Sequence, residues 1–364
     1  MNQVSATFVI SEEIVEGISN GTLERFGGVI RETQTKQVVV WLRETTPNIS
    51  QVPTLFHLGS VASVLNLSIS VMGFTVVMER LKELEQRLQQ AQEVLNKINR
   101  KIDLGFYANF RAALALAVNA FTMSKPQKRE SSAMSAINRF LEAEHHYTDY
   151  TDAELEQGSQ IADEYLLTLS LAYVAEARCY LELEEPDTAI RRLQEGAIVL
   201  RSRIQRYVDL LLTSNPAAYL QPQFKSQIDL RRLTRIYQWI NPTLDENAVF
   251  ELQRENLVKL VQDPNKWVDS LPAAILARVE VSGGWFGPSH EDLKREADKR
   301  LPQTLEVVES VIETNRRFEM YQAEIQAIAQ LGMSFHDWRK LTPSPEVPQD
   351  GAELIYIIPS KPLQ

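Results

Sequence analysis

The sequence predicts a mainly α-helical protein: a long-helix, coiled-coil helical bundle with a small α/β element near its N-terminus. Three observations predict it. Residues 55–78 form a stretch of 24 residues without Asp, Glu, Lys or Arg that runs directly into a charged, heptad-patterned segment. From residue 126 onward, apolar residues recur at helical spacing in one segment after another, punctuated by Pro186, Pro216, Pro222, Pro242 and Pro264. Only near the N-terminus do β-branched runs alternate with turn residues, as strands require.

The first region, residues 1–52, reads as a small α/β unit. Ser11, Glu12 and Glu13 open a short helix with acids in its first turn, and Gly21 ends it. Residues 27–31 and 38–42 then form a β-hairpin. An isolated hairpin is marginal in water, so it needs a partner. A strand at residues 354–358, in the 342–364 tail whose first part is Pro-rich, is expected to supply one and to bring the two termini together.

The second region, residues 53–125, follows Pro53. No proline interrupts residues 54–123, and a continuous helix of that span would be roughly 100 Å long. A break is expected near Gly105. Within the apolar part, Gly59, Ser63, Asn66, Ser70 and Gly73 recur at alternating steps of four and three, which puts them on one helical stripe. Small residues in a stripe let another helix approach closely, and Asn66 has the groups to hydrogen-bond across the contact. Downstream, Leu81, Leu84, Leu88, Ala91, Leu95, Ile98 and Ile102 follow the seam of a coiled coil over three heptads. One associating side thus runs from Gly59 to Ile102.

By length, residues 55–78 would span a bilayer core, which needs about 20 apolar residues. His57, Asn66 and four serines oppose insertion. One cation precedes the segment within 15 residues and three follow it, which would orient a span with the C-terminal bulk in the cytoplasm. That orientation would export the α/β unit away from its expected partner strand. Three placements therefore stay open: a buried core helix, a conditionally inserted helix, or a permanent span. In general architecture, residues 54–123 resemble α-helical pore-forming proteins. The resemblance implies an apolar helix, joined to long coiled-coil helices, that leaves the protein body to enter lipid.

The third region, residues 126–341, reads as a helical bundle. Residues 125–129 look like a polar linker. Helices are expected over 131–147, 159–183, 187–212, 227–240, 246–261, 272–279, 291–301 and 303–331. Tyr173, Ala177, Tyr180, Ala189 and Leu193, with Pro186-Asp187 in the turn, resemble a single tetratricopeptide-type hairpin. No regular 34-residue repetition accompanies it, and an array needs at least three units.

The formal net charge of −10 argues against a nucleic-acid partner. The single cysteine, Cys179, excludes an intramolecular disulfide and any multi-cysteine metal site. The N-terminus lacks a basic region followed by an apolar one, so a cytoplasmic start is expected, with any membrane contact made by an internal segment. No phosphate-binding glycine motif, zinc-protease motif or nucleophile-elbow motif is present, and no cofactor is expected. Glu142, His145, His146 and Asp149 offer i,i+4 pairs that read more simply as a solvated helix face. Arg191, Arg192, Arg201, Arg203 and Arg206 form a local cationic run, followed by Lys225, Arg231, Arg232 and Arg235. The loop 283–287 holds Trp285 and Phe286 between glycines.

The expected function is therefore non-enzymatic. One reading is a self-associating helical protein acting at a membrane, as a pore-forming or membrane-disrupting effector. The other is a helical scaffold that binds partner proteins through its coiled coil and its tetratricopeptide-like hairpin.

Overall fold

A computed structural model describes residues 12–26, 29–34, 38–41, 104–159, 161–283, 287–330, 332, 334 and 335. The chain is mainly helical, as the apolar periodicity predicts.

In the N-terminal unit, α1 (Glu12–Ser19) ends at Gly21, whose φ of 77° only glycine adopts without strain. Three short strands follow: β1 (Leu23–Phe26), β2 (Val29–Glu32) and β3 (Val38–Trp41). They form an antiparallel sheet in the order β1-β2-β3. The predicted hairpin is β2–β3, with a register shift between Ile30 and Arg31. Its partner is local. β1 pairs Phe26 with Val29, leaving only Gly27 and Gly28 between the strands. The strand expected at residues 354–358 lies outside the described residues. A Cβ on Gly17 would meet Leu23 Cδ1 at 2.5 Å, so this glycine lets α1 lie close against β1.

The helical body consists of α2 (Leu104–Thr122), α3 (Pro126–Glu156), α4 (Ala162–Glu182), α5 (Pro186–Leu211), α6 (Leu230–Ile240), α7 (Glu246–Gln262), the single turn α8 (Lys266–Asp269) and α9 (His290–Gln330). The first four are joined by short turns, so sequence neighbours pack side by side as antiparallel pairs. Two of those turns share one backbone device. After α3, Gly158 takes φ 57°, its N–H donates to Leu155 O at 3.1 Å, and Ser159 N donates to Glu154 O at 2.9 Å. After α4, Glu184 takes φ 58°, its N–H donates to Leu181 O at 3.2 Å, and Glu185 N donates to Tyr180 O at 3.0 Å. Both are Schellman caps, which satisfy the last helical carbonyls and reverse the chain. Pro186 then starts α5 at a position where its missing N–H has no consequence.

The structure corrects three expected boundaries. The supposed linker at 125–129 is the first turn of α3, because Pro126 is a helix-starting proline. The helix expected over 272–279 is reduced to turns and a 3₁₀ turn at Arg278–Glu280. The break expected at Pro302 is absent, and α9 runs 41 residues, about 60 Å, through that proline. Leu301 and Leu305 on either side of it are fully buried, so tertiary packing holds a helix that local preference would interrupt. Ser289 caps α9 by accepting from Asp292 N at 3.2 Å, while the Asp292 carboxylate accepts in return from Ser289 N.

The core begins with an edge-to-face aromatic cluster that ties three helices together. Phe110 of α2 stands 5.9 Å from Phe140 and 6.1 Å from Tyr147 of α3, and Tyr147 lies 5.8 Å from Tyr165 of α4. α4 is the centre of this packing. Every one of its residues but Tyr180 is buried. Among the described residues, no helix is long and apolar enough to cross a membrane.

Candidate functional site

The association stripe Gly59, Ser63, Asn66, Ser70 and Gly73 lies outside the described residues, and so do the seam residues Leu81, Leu84, Leu88, Leu95, Ile98 and Ile102. The residues of the tetratricopeptide-like pattern are described, and they form the α4–α5 helical hairpin. Tyr173, Ala177, Ala189 and Leu193 are buried between its arms, and Tyr180 sits at the rim. Gly196 marks the tightest approach. A Cβ there would meet the Tyr173 ring at 2.7 Å and Phe318 of α9 at 2.9 Å. Three helices therefore touch at one glycine.

A charged junction sits beside this contact. Arg192 of α5 is mostly buried, and it donates through all three of its nitrogens. Nε donates to both carboxylate oxygens of Glu176 on α4, at 2.9 and 2.8 Å. Nη2 donates to Glu144 on α3, and Nη1 to Glu195 one turn further along α5. The guanidinium also lies 5.3 Å from the centre of the Tyr173 ring. Glu144 and Glu176 are buried, whereas Glu195 is partly open to water. If all three carboxylates were ionised, the junction would carry a net charge of −2 around one guanidinium. The chain avoids this. Burial, reinforced by the charge of Glu176, holds the Glu144 carboxyl far above the usual carboxylate range. Glu176 is also raised, again chiefly by burial. Tyr173 is pushed up to about 12 by burial and by the charge of Glu144. Burial opposes the charge on Arg192, but the surrounding carboxylates outweigh it and raise its pKa.

A second charge is buried two residues further along α4. Arg178 lies between two rings, 4.5 Å from the Phe121 centroid and 4.4 Å from that of Phe335, and pairs with Glu182 at 3.1 Å. Other arginines of the cationic run are also committed inside the fold. Arg203 and Arg206 bind the two oxygens of Asp152 at 2.5 and 2.9 Å. Arg201 donates to Trp239 O at 2.9 Å and stacks on its ring. Arg232 forks onto Glu309 of α9 at 2.8 and 2.6 Å. Arg192, Arg201, Arg203, Arg206 and Arg232 are thus helix-to-helix ties, whereas Arg191, Lys225, Arg231 and Arg235 stay exposed.

The remaining candidates resolve simply. Glu142 pairs with Arg139 at 3.0 Å, and His146 stacks on Tyr150. His290 contacts Asp269 at 3.1 Å. Among the described residues, no cluster of His, Cys, Asp and Glu has the arrangement to hold a metal ion. Cys179 is fully buried, which pushes its thiol pKa up and away from nucleophilic use. Trp285 and Phe286 lie outside the described residues.

α7 is the body's other unusual element. Gln253 and Asn256 face inward with Val249 and Leu260, while Phe250, Leu257, Val258 and Val261 face water. Val261 is 80% exposed. The outward residues fall at steps of seven, one and three, which is a single apolar stripe with Arg254 within it. A depression of about 540 Å³ against α7 is lined by Arg254, Glu255, Val258, Lys259 and Gln262. All of these belong to one helix, so they form a face and not an enclosing pocket.

Sequence reasoning placed Arg192 in a cationic run and did not see the junction. A signal was present. Glu176 and Arg178 are the only charged residues between Tyr165 and Tyr180, an isolated polar pair in an apolar helix. No protein-family model matches the chain, and neither the curated proteins nor the solved structures hold a significant match to it.

Proposed function

We propose that this chain is a non-enzymatic, self-associating helical scaffold, a rigid helical body that offers helical surfaces to other helices. The observation that carries this reading is where the body places its groups. A set of charged side chains, Glu144, Glu176, Arg178, Glu182 and Arg192, is turned inward and paired, while large apolar side chains on α7 are turned outward. A catalytic cleft has the opposite arrangement, with polar groups converging on an open concavity. The heptad pattern from Leu81 to Ile102 adds sequence support for a second associating surface. Analytical ultracentrifugation of the full chain over micromolar concentrations tests this. Association that weakens in the Leu84→Glu/Leu88→Glu variant is expected. A chain that stays monomeric at every concentration overturns the reading.

A second reading rests on the uncharged stretch at residues 55–78, in which the association helix works at a membrane, as a pore-forming or membrane-disrupting element does. Flotation and dye leakage with neutral and with anionic vesicles separate the two. Self-association without flotation or leakage keeps the scaffold and removes the membrane role.

A further inference from the structure

Glu144 and Glu176 come from different helices, are both buried, and both accept hydrogen bonds from the one guanidinium of Arg192. An ionised carboxylate only accepts hydrogen bonds, so two buried carboxyls gathered on one guanidinium have no favourable contact with each other unless one of them carries a proton. The charge balance makes the same demand. Among the described residues, Arg192 is the one cation in contact with the pair, and it also serves Glu195. One oxygen of Glu144 is buried without a hydrogen-bond partner, a position suited to a neutral carboxyl and costly for a carboxylate.

The surroundings reinforce this. From α4, Tyr173 and Tyr180 face the pair together with Glu176. From α5 come Arg191, Arg192 and Glu195. From α2, Tyr107 and Arg111 flank Phe110, which meets α3 at Phe140 and Tyr147. On α3 itself, Arg139, Glu142 and His145 point to solvent. α9 approaches with Phe318, which is apolar.

We infer that Glu144 and Glu176 share one proton in the folded protein, and that this proton latches the α3, α4 and α5 helices together until alkaline pH removes it. Losing the proton places two carboxylates against each other in a buried site with one guanidinium. The pair then separates, and the α4–α5 hairpin loosens from α3. The sign follows from linkage. The folded state holds a proton on Glu144 that the unfolded state releases near the ordinary value of 4.5, so this group's contribution to stability falls as pH rises from there to about 10.

Infrared spectroscopy of the full chain in deuterated buffer reads the proton directly. A carbonyl band of a neutral, buried carboxylic acid is expected at pH 7, to be lost as the protein is titrated to pH 10.5. The band should be missing in Glu144→Gln and in Glu176→Gln, and retained in Glu195→Gln. The denaturation midpoint of the wild type should fall between pH 7 and 9.5, and that of Glu144→Gln should fall less. Should either Gln variant fail to fold, the other variant and the wild-type titration still decide. Absence of an acid band at pH 7, or a band that survives in both Gln variants, overturns the inference.

Discussion

α4 and α7 break the inside–outside rule in opposite directions. α4 buries Asp163, Glu164, Glu176, Arg178 and Glu182 along with its apolar residues. α7 buries Gln253 and Asn256 and exposes Phe250, Leu257, Val258 and Val261. The difference lies in partners. At the junction, the charges of α4 are matched by Arg192, and Arg178 has both a carboxylate and two aromatic faces. The outward residues of α7 meet water. A buried charge that is paired is a completed contact, whereas an exposed apolar stripe is an unfinished one. α4 therefore organises the body, and α7 is free to serve something outside it.

Removing the cation is expected to have the largest effect. Arg192→Met strands Glu144 and Glu176 in a buried site, and a loss of about 3–5 kcal/mol is expected in chemical denaturation. Removing the carboxylates as well should reverse that effect. The triple variant Arg192→Met/Glu144→Leu/Glu176→Leu should recover most of that loss, because apolar groups of similar size replace a buried ion network at little cost. A triple variant as unstable as Arg192→Met would show that the junction specifies the packing and does not merely tolerate its charges.

Gly196→Ala comes next. Alanine is ordinarily the better helix residue, but here its Cβ would press on Tyr173 and Phe318. A net loss of about 1–3 kcal/mol is expected in thermal or denaturant unfolding. A gain in stability would mean that the three helices give way easily at that point.

The smallest effect on stability belongs to α7. Phe250→Ser/Val261→Ser changes exposed side chains and should shift unfolding by no more than about 0.5 kcal/mol per site. The same variant should weaken self-association if the stripe takes part in it, as read by sedimentation. A large loss of stability with no effect on association would reverse the roles assigned to the two helices.

The sequence revealed features set by local chemistry. Gly21 after α1 and Pro186 before α5 are both legible, because caps and turns depend on a few adjacent residues. Features set by distant contacts were not. Arg192 reaches Glu176 across 16 positions and Glu144 across 48, and no local pattern joins them. Pro302 reads as a helix end until Leu301 and Leu305 are seen to be buried. β1 was missed because Leu-Glu-Arg-Phe carries no β-branched residue, and its pairing with β2 decides its form. For α7, periodicity indicated a helix but not which side of it faces in. The predicted association helix was read from spacing alone, and it lies outside the described residues.

The path of α9 has a consequence for the growing chain. This helix ties to α6 through Glu309, to α5 through Asn315 and Phe318, and to the 272–281 segment through Arg300. α5 ends at Leu211, but α9 is complete only at Gln330. At ordinary translation speeds the intervening residues take roughly ten seconds to synthesise. For that time, the side of α5 that Phe318 will cover has emerged without its lid. A nascent chain caught there presents bare apolar surface, so ribosome-bound intermediates ending before residue 290 are where chaperones would be expected to bind.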